Sequence, residues 1–433
     1  MRRLALGLAC QLALAAGPGA RGAEPPPPSP SPVAAVRQVR LGDFLGEVLQ
    51  TNLDLAASRF GVSIADAQVS LARLVPDPQL TAGIDTMDLT DQKLPTTTVV
   101  ALSQTIELGG KRRARVTEAT AGRSLAEAQL EDQLQSVRAN AARAFVDALA
   151  ARQVLALKRR TLQSVEKLVA ATEQRLRAGD VSATALAQVK VEAERFRSEV
   201  VSAEGEVRAS DLALELFLGA RAGVATALEP IGDLRLAVRD VDPAALIARA
   251  VETRSDLIVS LRSGEVAKAH VGSVQAGRWV DPSLAAEMKQ APSDAGGGLP
   301  ATRTLGLTVS MPLPFSRLSK ADLDGARAAA SQAETLVQAA RKRVDVEVRQ
   351  ALARYDAARR SVAIYAGGIL GNADGALEAT RYSYERGAAR LIEVLDAQRT
   401  VDDVYLGYAG ALADRARALV ALQRAAAIWD VDF

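Results

Sequence analysis

The sequence predicts a mainly α-helical fold in which a unit of two strands followed by two long helices occurs twice. Three motifs recur: Val75–Leu80 as Val280–Leu284, Ser103–Gly110 as Ser310–Arg317, and Arg175–Gly179 as Ser383–Gly387. Their spacings of 204, 207 and 208 residues agree closely, so they report one register along most of the chain. Two copies of so large a unit differ from a stack of short repeats and indicate a wall built from pseudo-equivalent parts.

The first repeat is predicted to span residues 37–230 and the second residues 231–433. We expect the first to contain strands at about 79–88 and 97–107 and helices at about 111–177 and 181–218. We expect the second to contain strands at about 283–290 and 303–313 and helices at about 317–385 and 389–428.

The N-terminus has the pattern of an export signal. Arg2 and Arg3 precede an apolar stretch, Leu4–Ala16, and small residues follow, so residues 1–23 are predicted to be a signal peptide. Residues 24–36 form a proline-rich linker. Cys10 is the only cysteine, and Gly7–Cys10 loosely resembles a lipobox, so lipidation remains an alternative to removal with the signal.

The helices are too long for a compact globule. Apolar residues after Gly110 recur in alternating steps of four and three, interrupted only by Lys158 and Thr172. As one helix, Lys111–Leu176 would span roughly 100 Å. Small residues beside the apolar stripe would let each helix pack on two sides, as in a sheet or cylinder of helices. A coiled-coil scaffold is the alternative that the helix pattern alone favours.

The predicted strands argue against that alternative. Leu305, Leu307 and Val309 alternate with small polar residues, which indicates a strand with one apolar face. Strands of this kind are typical of an outer-membrane barrel wall. Four strands cannot close a barrel, and lipid does not tolerate an open sheet edge, so several chains must combine. Gly296–Gly298 lies in the predicted second hairpin loop and reads as a flexible loop.

Composition and motifs exclude several classes of function. Removing the three arginines of residues 1–23 takes the formal net charge from +2 to −1, so nucleic acid is not an expected partner. We find no nucleophile, base or cofactor motif, and we expect neither an enzyme nor a cofactor. His270 is the single histidine, and no cluster of soft ligands for a metal is present.

Three motifs together resemble the outer-membrane factors of tripartite efflux systems, the TolC superfamily. They are Val75–Leu80, Leu102–Arg112 and Leu391–Gln398, and the first two look most like the CzcC-type branch that serves heavy-metal pumps. The resemblance implies a homotrimer with a twelve-stranded barrel in outer-membrane lipid, continued by a periplasmic α-barrel. It also implies a membrane-fusion adaptor and an inner-membrane pump of the RND class as partners.

The resemblance also implies roles for particular residues. Glu393 and Asp396 match acidic rings at the periplasmic aperture, and a solvated helix face is the alternative. Tyr384 matches a tyrosine of the aperture latch; the family's arginine falls at Ala389 here, so Arg390 is the nearest candidate. Adaptors dock in the family at the helix tips, which match Arg175, Leu176, Gly179 and Gly387. The two glycines would also end helices.

The leading hypothesis is therefore a passive exit duct for divalent heavy-metal cations in the outer membrane of a Gram-negative bacterium, with a large periplasmic portion. An outer-membrane factor for drug efflux or type I secretion is the alternative within the class. A periplasmic coiled-coil adaptor or scaffold is the alternative from another class. The cargo, the resting state of the aperture and the identity of the partners stay open at this point.

Overall fold

The computed structural model describes residues 37–85, 97–219, 228–235, 242–291, 300–313, 315 and 320–430. The predicted signal peptide, the proline-rich linker, Cys10 and Gly296–Gly298 lie outside these residues. The two predicted hairpin loops lie almost wholly outside them as well.

Each repeat contains a strand pair followed by long helices, as the sequence predicts. The first repeat contains β1 (Arg37–Val39), α1 (Leu41–Thr51), α2 (Leu53–Ala72), β2 (Gln79–Asp85), β3 (Thr97–Thr105), α3 (Lys111–Arg177), α4 (Ala183–Glu215) and β4 (Leu228–Pro230). The second contains α5 (Pro243–Thr253), α6 (Ser255–Gly277), β5 (Ser283–Ala291), β6 (Thr302–Ser310), α7 (Ala321–Ile364), α8 (Leu370–Glu385) and α9 (Leu391–Ala426). The mainly α fold with two strand pairs is confirmed.

The four longer strands form one antiparallel sheet with the order β2-β3-β5-β6. The central pair joins the two repeats: Leu102 on β3 lies opposite Ala286 on β5 and, on its other side, opposite Leu80 on β2. The edge strands β2 and β6 come from different repeats. Their apolar side chains are the most exposed of the sheet, with Leu80 at 72% and Leu305 at 82%. The sheet therefore ends in two open edges.

α3 is one uninterrupted helix of 67 residues, about 100 Å long. Gly109 and Gly110, at φ +69° and +73°, form the sharp turn from β3 into this helix. Asp281, which precedes β5, fastens the turn: it accepts a hydrogen bond from the Leu108 N–H at 2.9 Å and pairs with Lys111 Nζ at 2.5 Å. The aspartate of one repeat thus holds the strand–helix junction of the other.

The prediction of one continuous helix over residues 317–385 is wrong. α7 ends at Ile364, and one wider π-helical turn, Tyr365–Ile369, precedes α8. Gly368 in this turn has φ 157°, a value outside the helical range, and the neighbouring Gly367 adds a second weak helix former. Tyr365 lies against Gly407 of α9, where a Cβ atom would stand 2.5 Å from the tyrosine hydroxyl.

Several short elements have no counterpart in the predicted boundaries. α1 and α2 fill the segment before β2, and β1 pairs in parallel with β4. Between β4 and β5 the chain forms α5 and α6, which are divided at Arg254, whose backbone is extended; His270 lies in α6. No helix in the described part of the chain is both long enough and apolar enough to span a membrane.

The largest apolar cluster joins the two repeats near the middle of the long helices. Phe145 of α3 packs on Phe44 of α1, with ring centroids 5.7 Å apart, and Leu412 of α9 belongs to the same cluster. All three side chains are at most 1% exposed. This burial fixes α9 on α3, and the alternating four-and-three spacing of the sequence supplies the faces that meet.

Candidate functional site at the helix tips

The two predicted helix tips end in the same backbone motif. After α3, the Gly179 N–H bonds to the Leu176 carbonyl at 3.0 Å and the Asp180 N–H bonds to the Arg175 carbonyl at 2.9 Å. After α8, Gly387 and Ala388 make the matching bonds to Tyr384 and Ser383 at 3.0 and 2.8 Å. This is the Schellman ending, which needs a left-handed residue; Gly179 has φ +83° and Gly387 has φ +78°.

One apolar cluster, which we call the tip cluster, draws the ends of four helices together. It contains Val165 of α3, Val189, Ala193 and Phe196 of α4, Tyr384 of α8, and Leu391, Val394 and Leu395 of α9. The structure therefore brings the predicted docking residues Arg175, Leu176, Gly179 and Gly387 to the same end of the molecule. Their role in docking stays a prediction.

Tyr384 is held by Arg175 and not by Arg390. The Arg175 guanidinium lies 4.7 Å from the centre of the Tyr384 ring and donates to the Tyr384 carbonyl at 3.3 Å. The tyrosine is only 8% exposed, and its hydroxyl has no hydrogen-bond partner within the described residues. Arg390 is 87% exposed and lies 4.0 Å from Glu393. Within one chain the structure does not bring Tyr384 and Arg390 together, and their latch role stays a prediction.

Glu393 and Asp396 lie in the first two turns of α9, and both face solvent in the single chain. Their side chains are 52% and 63% exposed. Each has a basic neighbour close by in the chain: Arg390, the residue before α9, for Glu393, and Arg399 at 3.2 Å for Asp396. The negative charges of the two carboxylates are therefore partly neutralised. Any effect of Asp396 on ions also depends on Arg399. The aperture-ring assignment stays a prediction.

Buried ion pairs behind this surface were not predicted from the sequence. Arg399 holds Glu192 of α4 by two hydrogen bonds of 2.9 and 2.8 Å, and these bonds lower the pKa of the Glu192 carboxyl. Lys158 of α3 lies 2.5 Å from Glu199 and 3.2 Å from Asp402. Burial alone would lower the pKa of Lys158, but the bond to Glu199 and the charge of Asp402 outweigh it and raise that pKa.

The sequence did carry a signal for one of these pairs. Lys158 and Thr172 are the two residues that interrupt the apolar series of α3. Thr172 is fully buried and satisfies its hydroxyl within α3, by donating to the Leu168 carbonyl at 2.7 Å. Lys158 is not satisfied in that way, because a buried ammonium needs a charged partner, and its two carboxylates come from α4 and α9. A charge in an apolar stripe thus marks an ionic contact, although spacing does not reveal the partner.

The described residues offer no group of three or more potential metal ligands among His, Cys, Asp and Glu. His270 faces Glu118 of α3 at 2.8 Å, and both side chains are partly exposed. This pair links two helices and lies outside the tip cluster.

Comparison with known proteins gives the family. The family model described as "Outer membrane efflux protein" matches residues 44–220 and 246–427, which covers both repeats. The chain belongs to the outer membrane efflux protein family. It is accordingly an outer-membrane protein of a Gram-negative bacterium, and its long helices form the periplasmic portion.

Known relatives align with this chain over most of its length. It is 24% identical to the cobalt-zinc-cadmium resistance protein CzcC of Cupriavidus metallidurans, over 86% of each chain. It is 25% identical to the outer membrane efflux protein BepC of Brucella suis, over 82% of this chain and 78% of that one. The crystal structure of a membrane protein from Pseudomonas aeruginosa has the same fold, with a TM-score of 0.76, 22% identity and coverage of 89% and 92%.

Substitutions at Gly179 and Gly387 can test adaptor docking without disturbing the packing of other side chains. A Cβ at Gly179 or Gly387 would meet nothing within 4 Å, so only the left-handed backbone resists substitution. For Gly387→Val we expect a strain of roughly 1–2 kcal/mol and a displaced tip. Efflux-dependent tolerance of the cells should fall, while the amount of assembled protein on unheated gels stays normal.

Gly387→Asn is the matched control, because asparagine tolerates the left-handed conformation and should preserve export. If Gly387→Val instead removes the assembled protein from the outer membrane, the glycine has only a structural role. The same pair of substitutions at Gly179 tests the other tip.

Proposed function

We propose that this chain is the passive outer-membrane exit duct of a tripartite efflux system that exports divalent heavy-metal cations. The match of the outer membrane efflux family to both repeats supports the duct most strongly. The family is one of channels, so the free energy for transport comes from the partner pump.

Closure of the duct requires further copies of the chain. The sheet ends at β2 and β6, and an unpaired edge in lipid costs several kcal/mol for each unsatisfied backbone group. A homotrimer would unite twelve strands, a number within the range of known outer-membrane barrels. The exposed apolar residues of β2 and β6, such as Ile84 and Leu307, then face lipid or a neighbouring copy.

The helix tips are the proposed contact for the other two components. The ends of α3, α4, α8 and α9 converge on the tip cluster, and Gly179 and Gly387 leave the backbone there accessible. A membrane-fusion adaptor would dock on these tips, and an inner-membrane pump of the RND class would deliver the cargo.

The cargo assignment has two supports. The likeness to a cobalt-zinc-cadmium resistance protein spans 86% of both chains. Glu393 and Asp396 add exposed carboxylates on one face of α9, three residues apart, and three copies would place six of them around one axis. Like charges confined in a passage favour cations.

Deletion of the gene in its own host tests the cargo. We expect the deletion strain to lose tolerance to cobalt, zinc or cadmium salts and to keep its tolerance to hydrophobic drugs. Growth-inhibitory concentrations provide the measurement, and a plasmid copy of the gene should restore them. Loss of drug tolerance with normal metal tolerance would replace the metal assignment by drug efflux.

The acidic pair makes a second prediction. Replacing Glu393 and Asp396 together with Ala removes carboxylates that would attract cations, so cation selectivity in planar bilayers should fall. The reversal potential under a salt gradient measures this selectivity. Asp414→Ala is the control, because Asp414 is an acid at least as exposed, at 68%, and lies farther along α9. Unchanged selectivity in the double variant would remove both residues from the site.

A further inference from the structure

One turn of α9 places three polar side chains against the first repeat. Gln398 and Asp402 are buried, at 6% and 5% exposure, and Arg399 is half-buried. Val394 and Leu395 precede them in the tip cluster, and Val401 belongs to an apolar cluster with α8. A short polar layer therefore adjoins these two apolar clusters where α9 meets α3 and α4.

The first contact of this layer is with α4. Arg399 donates from Nε and from one terminal nitrogen to the two carboxylate oxygens of Glu192, at 2.9 and 2.8 Å. The Glu192 side chain is only 7% exposed, and its other cationic neighbour, Arg195, is farther away at 3.6 Å. A planar, two-bond contact fixes both the distance and the orientation of the two helices.

The second contact is with α3 and has the opposite polarity. Here the acid lies on α9: Asp402 accepts from Thr161 Oγ1 at 2.7 Å and from Lys158 Nζ at 3.2 Å. Lys158 also reaches Glu199 of α4 at 2.5 Å, so one ammonium links three helices. Lys158 and Asp402 side chains are 15% and 6% exposed.

The alternation of polarity determines the register of α9. An apolar surface packs acceptably in several neighbouring registers, whereas a basic and an acidic group one turn apart match their partners in only one. Sliding or rotating α9 would take Asp402 away from Lys158 and Glu192 away from Arg399. Both acids are buried, so losing these cations is far more costly than shifting apolar contacts.

The position of α9 in turn determines where its acidic pair stands. Arg399 bonds to Glu192 and to Asp396 at once, the latter at 3.2 Å, so the buried contact and the exposed carboxylate share one side chain. Glu393 lies one turn nearer the tip on the same helix.

We propose that the contacts Glu192–Arg399 and Lys158–Asp402–Glu199 form a register lock that holds α9 on the first repeat, sets the position of Glu393 and Asp396, and thereby limits conductance. The lock adds positioning residues to the proposed duct. Its effect on conductance rests on the proposed function, whereas its effect on the position of α9 does not. Lys158 and Arg399 are positioning residues in this account and need not contact the cargo.

Lys158→Met is the central test, with two matched variants. It keeps the length and apolar stem of the side chain but leaves Asp402 buried without its cation. We expect a higher single-channel conductance in planar bilayers and a shifted reversal potential. Lys158→Arg retains the cation and should keep the wild-type values. Lys190→Met makes the same change in an exposed α3–α4 pair, Lys190–Glu173 at 2.7 Å, that does not involve α9, and it should also keep them.

A second measurement reports position without relying on transport. Spin labels on cysteines introduced at Gln188 of α4 and Ala388, both exposed, measure the separation of the two tips. Lys158→Met and Arg399→Gln should lengthen or broaden this distance, and the two matched variants should not. Arg399→Gln serves as an independent test, because the side chain it replaces is 39% exposed and its loss is the milder change.

Wild-type distance and conductance in assembled Lys158→Met and Arg399→Gln proteins would overturn the lock. A wild-type protein that conducts no ions would instead contradict the proposed function. The spin-label distances would still decide whether the register of α9 depends on these ion pairs.

Discussion

The open edges of the four-stranded sheet constrain everything else in this molecule. β2 and β6 expose backbone hydrogen-bonding groups and rows of apolar side chains on the same strands, a combination that neither water nor lipid accommodates. The chain solves half of the problem internally, by pairing β3 of one repeat with β5 of the other. In our account sister copies pair the remaining edges, β2 of one copy with β6 of the next. Because the two repeats are equivalent, this pairing between copies has the same arrangement as the β3–β5 pairing within one copy.

The long helices transmit this arrangement over a great distance because they are tied together at several levels. Asp281 fastens the start of α3 at the sheet, the Phe44–Phe145 cluster joins α9 to α3 in the middle, and the tip cluster joins four helices at the far end. The ionic layer of Lys158, Arg399 and their partners lies between the last two levels. Apolar packing supplies most of the stabilisation, and the polar contacts select one arrangement among similar ones.

The sequence predicted the features that depend on period and on strong local signals. The limits of α3 are predicted as 111–177 and observed as Lys111–Arg177, because a sustained heptad-like series and positive-φ glycines mark both ends. The strand at about 303–313 is observed as Thr302–Ser310, since alternation of apolar and polar residues fixes the strand but not its end. Pairing of β3 with β5 has no signature in local sequence.

The missed features depend on tertiary contacts or on weaker signals. The break at Tyr365–Ile369 had a visible signal in Gly367 and Gly368. Apolar residues at 362, 365, 369 and 373 keep the helical spacing across it and concealed it. The partners of Lys158 lie 41 and 244 residues away, at a separation that no periodicity encodes. For the same reason Tyr384 is found against Arg175, 209 residues earlier, and not beside its sequence neighbour Arg390.

Disulfide cross-linking between strand edges tests closure by sister copies most directly. Applying the repeat spacings of 204 and 207 residues to the Leu102–Ala286 pair places Ala82 of one copy opposite Val309 of the next. With cysteines at both positions, oxidation of cells should yield covalent dimers and trimers on denaturing gels and no larger species. A product that stays entirely monomeric, or a chain recovered as a water-soluble monomer from the periplasm, would contradict this account.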